Sequence, residues 1–242
     1  MSGERHLDWP GCFNVRDLGG LPAAGGRRTI RGAVVRADSL SRLDERGWQA
    51  LLDHGVRTVV DLRNEDERGE DAAPRPSEIE TVHVPLDGSS DRSFWDPVES
   101  SPEFGTPIYY RAHLMRKPQL GAAAVAAVAR ARPGGVVFHC VGGRDRSGQL
   151  AMLLLSLVGV DAAAIGADYE LSGERLERLF AALGEPDEKE LIAAYLTERG
   201  TTASEVIATT LASLDVEATL MAGGLTPDDV AALRERMLEP TQ

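Results

Sequence analysis

Val136-Val137-Phe138-His139-Cys140-Val141-Gly142-Gly143-Arg144-Asp145-Arg146-Ser147-Gly148 decides the architecture of this chain. The apolar run Val136-Val137-Phe138 reads as a short strand, the glycines as a tight loop, and the apolar residues from Leu150 as a helix that begins near Ser147. A loop between strand and helix turns successive backbone N–H groups toward one point at a helix N-terminus, where a tetrahedral anion can bind. Cys140 is expected at the floor of that loop. The surrounding donors and the helix dipole would lower its thiol pKa below the free value of about 8.5, making it a nucleophile at neutral pH. Arg146 offers a planar fork for two phosphoryl oxygens, which lysine cannot reproduce. The plain alternative is a buried structural cysteine near an arginine. The strand before the loop, the glycines within it and the hydroxyl and helix after it favour the anion-binding reading. The predicted phosphate-binding set is therefore Val141, Gly142, Gly143, Arg144, Asp145, Arg146 and Ser147.

Strand and helix patterns alternate on both sides of this loop. Ala33 to Arg36 reads as a strand, Leu43 to Asp53 as a helix stopped by Gly55, and Val56 to Leu62 and Val82 to Leu86 as two further strands. The charged stretch Arg63 to Ser77 reads as a solvated helix and loop, and 87–108, rich in Pro, Ser, Asp and Gly, as an ordered loop bordering a pocket. Residues 119–131 form an alanine-rich helix ended by Pro133-Gly134-Gly135. Residues 161–240 read as helical, broken at Gly184-Glu185-Pro186 and Gly223-Gly224, with a capping box at Thr202 and Glu205 and Pro227 in a first turn. The expected fold is α/β: a central, mostly parallel sheet flanked by helices, with a helical C-terminal extension. In such sheets the ligand crevice lies beyond the carboxyl ends of the strands, which gathers Cys140, Asp61 and Asp87 at one edge.

A chain of 242 residues suits a single domain over 1–242. Residues 160–200 are candidates for a helical lid and 202–240 for C-terminal helices. Lys and Arg number 26 against 38 Asp and Glu, a formal net charge of −12, which argues against nucleic acid or an anionic membrane as a partner. No apolar run is long enough to insert stably in a membrane. The opening Met1-Ser2-Gly3-Glu4-Arg5-His6 leads into no apolar signal core, so a cytoplasmic location is expected, with unconventional export leaving no trace in the sequence. Two cysteines, Cys12 and Cys140, are too few for a disulfide framework. Cys12 is expected either as core or as a redox partner for the nucleophile. The oligomeric state is not encoded in any pattern found.

The early run Asn14-Val15-Arg16-Asp17-Leu18-Gly19-Gly20, taken with His139-Cys140-x5-Arg146-Ser147, resembles the bacterial branch of the cysteine-dependent protein tyrosine phosphatase superfamily. It is most similar to the secreted mycobacterial tyrosine and lipid phosphatase group. Asp61-Leu62-Arg63, Asp168-Tyr169 and Gly224 to Val230 with Leu233-Arg234 extend the resemblance over nearly the full length. The family's usual loop carries lysine where this chain has Arg144, a change that preserves charge but not geometry. Related enzymes use that lysine for additional phosphates of phosphoinositides, so the substitution bears on lipid activity.

The resemblance implies a phosphomonoesterase acting through a phosphocysteine on Cys140, a chemistry that needs neither metal nor cofactor. Arg146 and the loop amides would stabilise the equatorial oxygens, and Ser147 would ease departure of the sulfur. His139 is expected to shape the loop by bonding to backbone. Asp145, the position the resemblance implies, is the first candidate for the general acid; Asp87, on a loop after a strand, is its rival and Asp61 a third. Arg16 with Asp17, and Asp61 with Arg63, are expected as ion pairs behind the loop. Phe94, Trp95, Tyr109 and Tyr110 are candidates for a cleft wall or for core. Phosphotyrosine in a protein is the first expected substrate, with dual or phosphoinositide specificity within reach. A phosphorylated small metabolite is the alternative, followed by a rhodanese-like sulfurtransferase and a catalytically dead module that binds phosphorylated ligands.

Overall fold

A computed structural model describes residues 5–240; Met1 to Glu4, on which the reading of the N-terminus partly rests, lie outside the described residues. The sheet has five strands: β1 (Arg16–Asp17), β2 (Val34–Ala37), β3 (Val56–Asp61), β4 (Glu80–His83) and β5 (Gly135–His139). Their spatial order is β1-β2-β5-β3-β4. β1 runs antiparallel to β2, and the other three pairings are parallel. The strand leading into the cysteine loop is thus central, and β2 and β3, on either side of it, end at the same edge.

Because side chains alternate across a strand, β5 feeds two cores. Val136 and Phe138 pack into the larger one, with Val125 of helix α4 (Pro118–Ala129) and Leu150 and Leu154 of α5 (Asp145–Leu157); Val137 packs on the opposite face with Trp48 and Leu51. The last two belong to α1 (Glu45–Asp53), which Asp44 caps by accepting from Gly47 N at 2.8 Å. Helices on both faces of a mostly parallel sheet make the fold α/β, as expected.

The remaining helices are α2 (Arg92–Glu99), α3 (Tyr110–Arg116), α6 (Ala162–Glu170), α7 (Ser172–Leu183), α8 (Lys189–Glu198), α9 (Ala203–Ser213), α10 (Val216–Ala222) and α11 (Pro227–Met237). Thr202 and Glu205 form the predicted capping box, and Gly184, at φ 69°, ends α7 in the left-handed region. No helix among the described residues is long and apolar enough to cross a membrane.

Several boundaries differ from the sequence reading. β4 ends at His83 instead of running from Val82 to Leu86, since Pro85 has no N–H for the ladder. The stretch 87–108 is not all loop. It contains α2, which buries Trp95 and Val98 three residues apart. Of the charged stretch 63–77, only Glu65–Glu67 is helical, as a single 3-10 turn. α1 starts at Glu45, because Leu43 is extended, and α5 starts at Asp145, two residues earlier than expected.

Candidate active site

The loop after β5 places Cys140 at 3% exposure, its Sγ accepting from Gly143 N and from Ser147 Oγ, each at 3.2 Å. The carbonyls around it are all accounted for. Val141 O accepts from Ser39 N at 2.9 Å, Gly142 O from Asn14 Nδ2 at 3.1 Å, and Gly143 O and Arg144 O from Arg36 Nη2 at 3.0 and 3.2 Å. Asp145 O accepts from Tyr110 Oη at 2.6 Å. A carbonyl pulled outward leaves the peptide N–H free to turn inward, so these donors give the loop the polarity of an anion site. Gly143 has φ +69°, and a Cβ there would lie 2.6 Å from Asp38 N, so the loop needs glycine at this position.

Buried charge holds those donors in turn. Asp168 on α6 accepts from Arg5 Nη1 at 2.6 Å, Arg16 Nε at 3.0 Å and Arg36 Nη1 at 2.9 Å. Burial opposes its ionisation, but Arg16, Arg36 and Arg5 together keep its carboxyl well below the usual range. Arg16 therefore does not pair with Asp17, as the sequence suggested. The carboxylate of Asp17 instead accepts from Gly19 N at 2.7 Å and Gly32 N at 2.8 Å. Asp38, which the sequence reading did not single out, accepts from Phe13 N, Asn14 N and Arg42 Nη2 at 3.1, 3.0 and 2.7 Å.

The expected pair of Asp61 and Arg63 is present, at 2.8 Å between Nη2 and Oδ2. Against the cost of burial, Arg63 and His139 bring Asp61 down to about 2. Asp61 is thus held as a buried carboxylate by Arg63, and it is not among the residues that line the cavity beside Cys140. His139 Nδ1 lies 3.1 Å from Cys140 O, a backbone contact of the kind predicted, and burial pushes the imidazole down to about 4. Cys12 is a free thiol 3.5 Å from Ser39 O, raised first by burial and then by Asp38.

Above Cys140 is a cavity of about 230 Å³ whose lining includes Val141, Gly142, Arg144, Asp145, Arg146, Glu67 and Asp87. Leu176, Leu179, Phe180 and Leu183 of α7 line it too, with Glu185 and Glu188 from the turn that follows. With Phe180, Phe104 and Tyr109 supply its aromatic lining, whereas Trp95 packs among Phe94, Tyr109 and His113 in the interior. The Arg146 guanidinium meets the Glu67 carboxylate through both terminal nitrogens, with Nη2 to Oε1 at 2.6 Å, and Nη1 lies 3.3 Å from Asp87 Oδ2. Burial opposes its charge, but these neighbours hold it firmly protonated. Glu67 was read from sequence only as part of a solvated run. Asn64 N at 2.7 Å from its Oε2 closes the short turn that swings it inward. Asp87 accepts from Asn64 Nδ2 at 3.0 Å, and burial, countered in part by Arg146, pushes it up to about 6. The Asp145 carboxylate accepts from Arg144 Nε at 3.2 Å.

These features define a class: an α/β protein with a buried thiol at the floor of a glycine-containing loop between a central strand and a helix. A model of the tyrosine phosphatase family matches residues 7–239. A protein of Cupriavidus necator provisionally named a tyrosine-protein phosphatase is 31% identical over 72% of this chain and 66% of its own length. A tyrosine-protein phosphatase of Nostoc commune is 32% identical over 60% of this chain and 50% of its own length. A triple specificity protein phosphatase of Mycobacterium tuberculosis is 27% identical over 73% and 72%. The chain thus spans about two thirds and one half of the length of the first two relatives. It belongs to the tyrosine phosphatase family, a family of hydrolases.

Proposed function

We propose that this chain hydrolyses phosphomonoesters in two displacements at Cys140. The thiolate attacks phosphorus, forming an S–P bond as the ester P–O bond breaks; water then attacks the phosphocysteine, releasing inorganic phosphate and restoring the thiolate. The Arg146 fork and the inward amides from Val141 to Ser147 stabilise the equatorial oxygens in both steps. Ser147 Oγ, at 3.2 Å from the sulfur, eases its departure in the second. The observation that carries this reading is the sulfur at the floor of a loop whose carbonyls, from Val141 to Asp145, all have donors outside the cup.

The leaving oxygen needs a proton, and Asp87 is the best placed donor. It lines the cavity beside Arg146, and burial keeps it protonated further toward neutrality than an ordinary carboxylate. Asp145 is the second reading, favoured by its place within the loop and on the same cavity wall. Phosphotyrosine in a protein is the proposed first substrate, because Tyr109 and Phe104 offer aromatic walls and the family is that of tyrosine phosphatases. Dual or phosphoinositide specificity is a narrower question, on which Arg144 bears directly. Aryl phosphate turnover with chelator present, by the wild type and by Cys140→Ser, tests the proposal. Turnover lost in the variant, with inorganic phosphate still bound, supports it; substantial turnover by Cys140→Ser contradicts it.

A further inference from the structure

A second cavity, of about 400 Å³, adjoins the first, and Arg144 and Leu176 line both. Its walls are mainly apolar and include Pro107, Leu176 of α7, and Ile192 and Leu196 of α8. The mechanism above uses none of this space. Arg144 lies in the partition between the two cavities at 15% exposure and is held through Nε by Asp145 at 3.2 Å. Its two terminal nitrogens have no hydrogen-bond partner among the described residues. A guanidinium so enclosed, with donors left over, is suited to a ligand that supplies acceptors. Gly105 makes room for this arrangement: a Cβ there would lie 2.9 Å from Arg144 Nη2 and 2.5 Å from Ile192 Cδ1.

Resting on the phosphatase reading, we infer that this cavity is a specificity subsite for an aliphatic or aromatic residue flanking the phosphorylated residue of a protein substrate. Arg144 donates to a main-chain carbonyl between the two. The two cavities share Arg144 and Leu176, so one extended chain, advancing about 3.3 Å per residue, can place neighbouring side chains in both. Charge speaks against a lipid in a bilayer as the occupant. Lys189 and Arg144 offset Glu170 and Asp187 within this cavity, but Glu185 and Glu188 line its neighbour and the whole chain carries a formal −12, so an anionic membrane surface is repelled.

The test uses phosphotyrosine peptides that differ at one position, with Leu, Ala or Asp placed in turn at each of the two positions on either side of the phosphotyrosine. It measures kcat/KM for the wild type and for Ala193→Trp, a change on α8 that fills the cavity from a residue lining it. Burial of one aliphatic side chain predicts about tenfold or more in favour of Leu over Ala at one position, and a ratio near one in Ala193→Trp. Equal values for Leu and Ala at every position overturn the inference, as does a preference that survives Ala193→Trp. Phosphatidylinositol 3-phosphate in phosphatidylcholine vesicles is the opposing arm. Turnover of it above that of the best peptide, with the excess lost in Ala193→Trp, assigns the space to an acyl chain and also overturns the inference. Aryl phosphate turnover separates the failures: activity without flanking preference sinks the subsite alone, and no activity sinks the phosphatase reading with it.

Discussion

Asp87→Asn isolates the proton donor. The amide is isosteric and can still present an oxygen to Asn64 Nδ2 at 3.0 Å and to Arg146 Nη1 at 3.3 Å, so the variant removes an ionisable proton with little change of shape. General acid catalysis is worth about 10² to 10⁴ in rate. That full amount is expected on a phosphate ester of a poorly acidic alcohol, and only a few-fold loss on p-nitrophenyl phosphate, whose leaving group hardly needs protonation. The pH dependence follows from burial, which raises Asp87 to about 6. Below that value the acid form dominates; above it the rate on the poor leaving group should fall about tenfold per unit. At pH 7 roughly a tenth of the molecules carry the proton. In Asp87→Asn this descending limb should disappear. The assay is kcat/KM against pH for both esters, with Asp145→Asn alongside. If Asp145→Asn shows the loss that depends on leaving group and Asp87→Asn does not, the donor sits in the phosphate loop and the assignment to Asp87 is refuted.

Arg146→Lys keeps the charge facing Glu67 and Asp87 but loses the fork, so kcat should drop about 10² to 10³; a rate within threefold of wild type would make two-pronged contact unimportant. Gly143→Ala puts a Cβ 2.6 Å from Asp38 N at a φ of +69°. The strained residue and the displaced loop should cost roughly 1 to 3 kcal/mol by denaturant unfolding, and a shift of about 1 Å in the cup should cost about 100-fold in kcat/KM. Unchanged stability and activity would mean that the loop adapts freely.

The strand, loop and helix of the candidate centre were legible because they are local: strand, cysteine, glycines, arginine and helix follow one another between Val136 and Leu157. The alternation of strand and helix patterns likewise gave the α/β class. What escaped the reading was action at a distance along the chain. Glu67 meets Arg146 across 79 positions, and Arg36 reaches Asp168 across 132. Charged residues in isolation resemble solvated surface, and nothing in local composition says that a carboxylate will be turned inward. Asn14 and Arg16 stood out as a motif, yet their partners, Gly142 O and Asp168, appear only in three dimensions. Helix α2 was hidden by Pro97, although the spacing of Trp95 and Val98 and the (i, i+4) pair of Arg92 and Asp96 were signals available in the sequence.

Rapid quenching of a reaction with an aryl phosphate, followed by mapping of the phosphorylated peptide, measures the central claim most directly. A phosphoryl group on the sulfur of Cys140, formed and consumed at rates consistent with turnover, is the predicted result. Turnover with no phosphoenzyme at any time, together with incorporation of solvent oxygen in a single inversion at phosphorus, would contradict it.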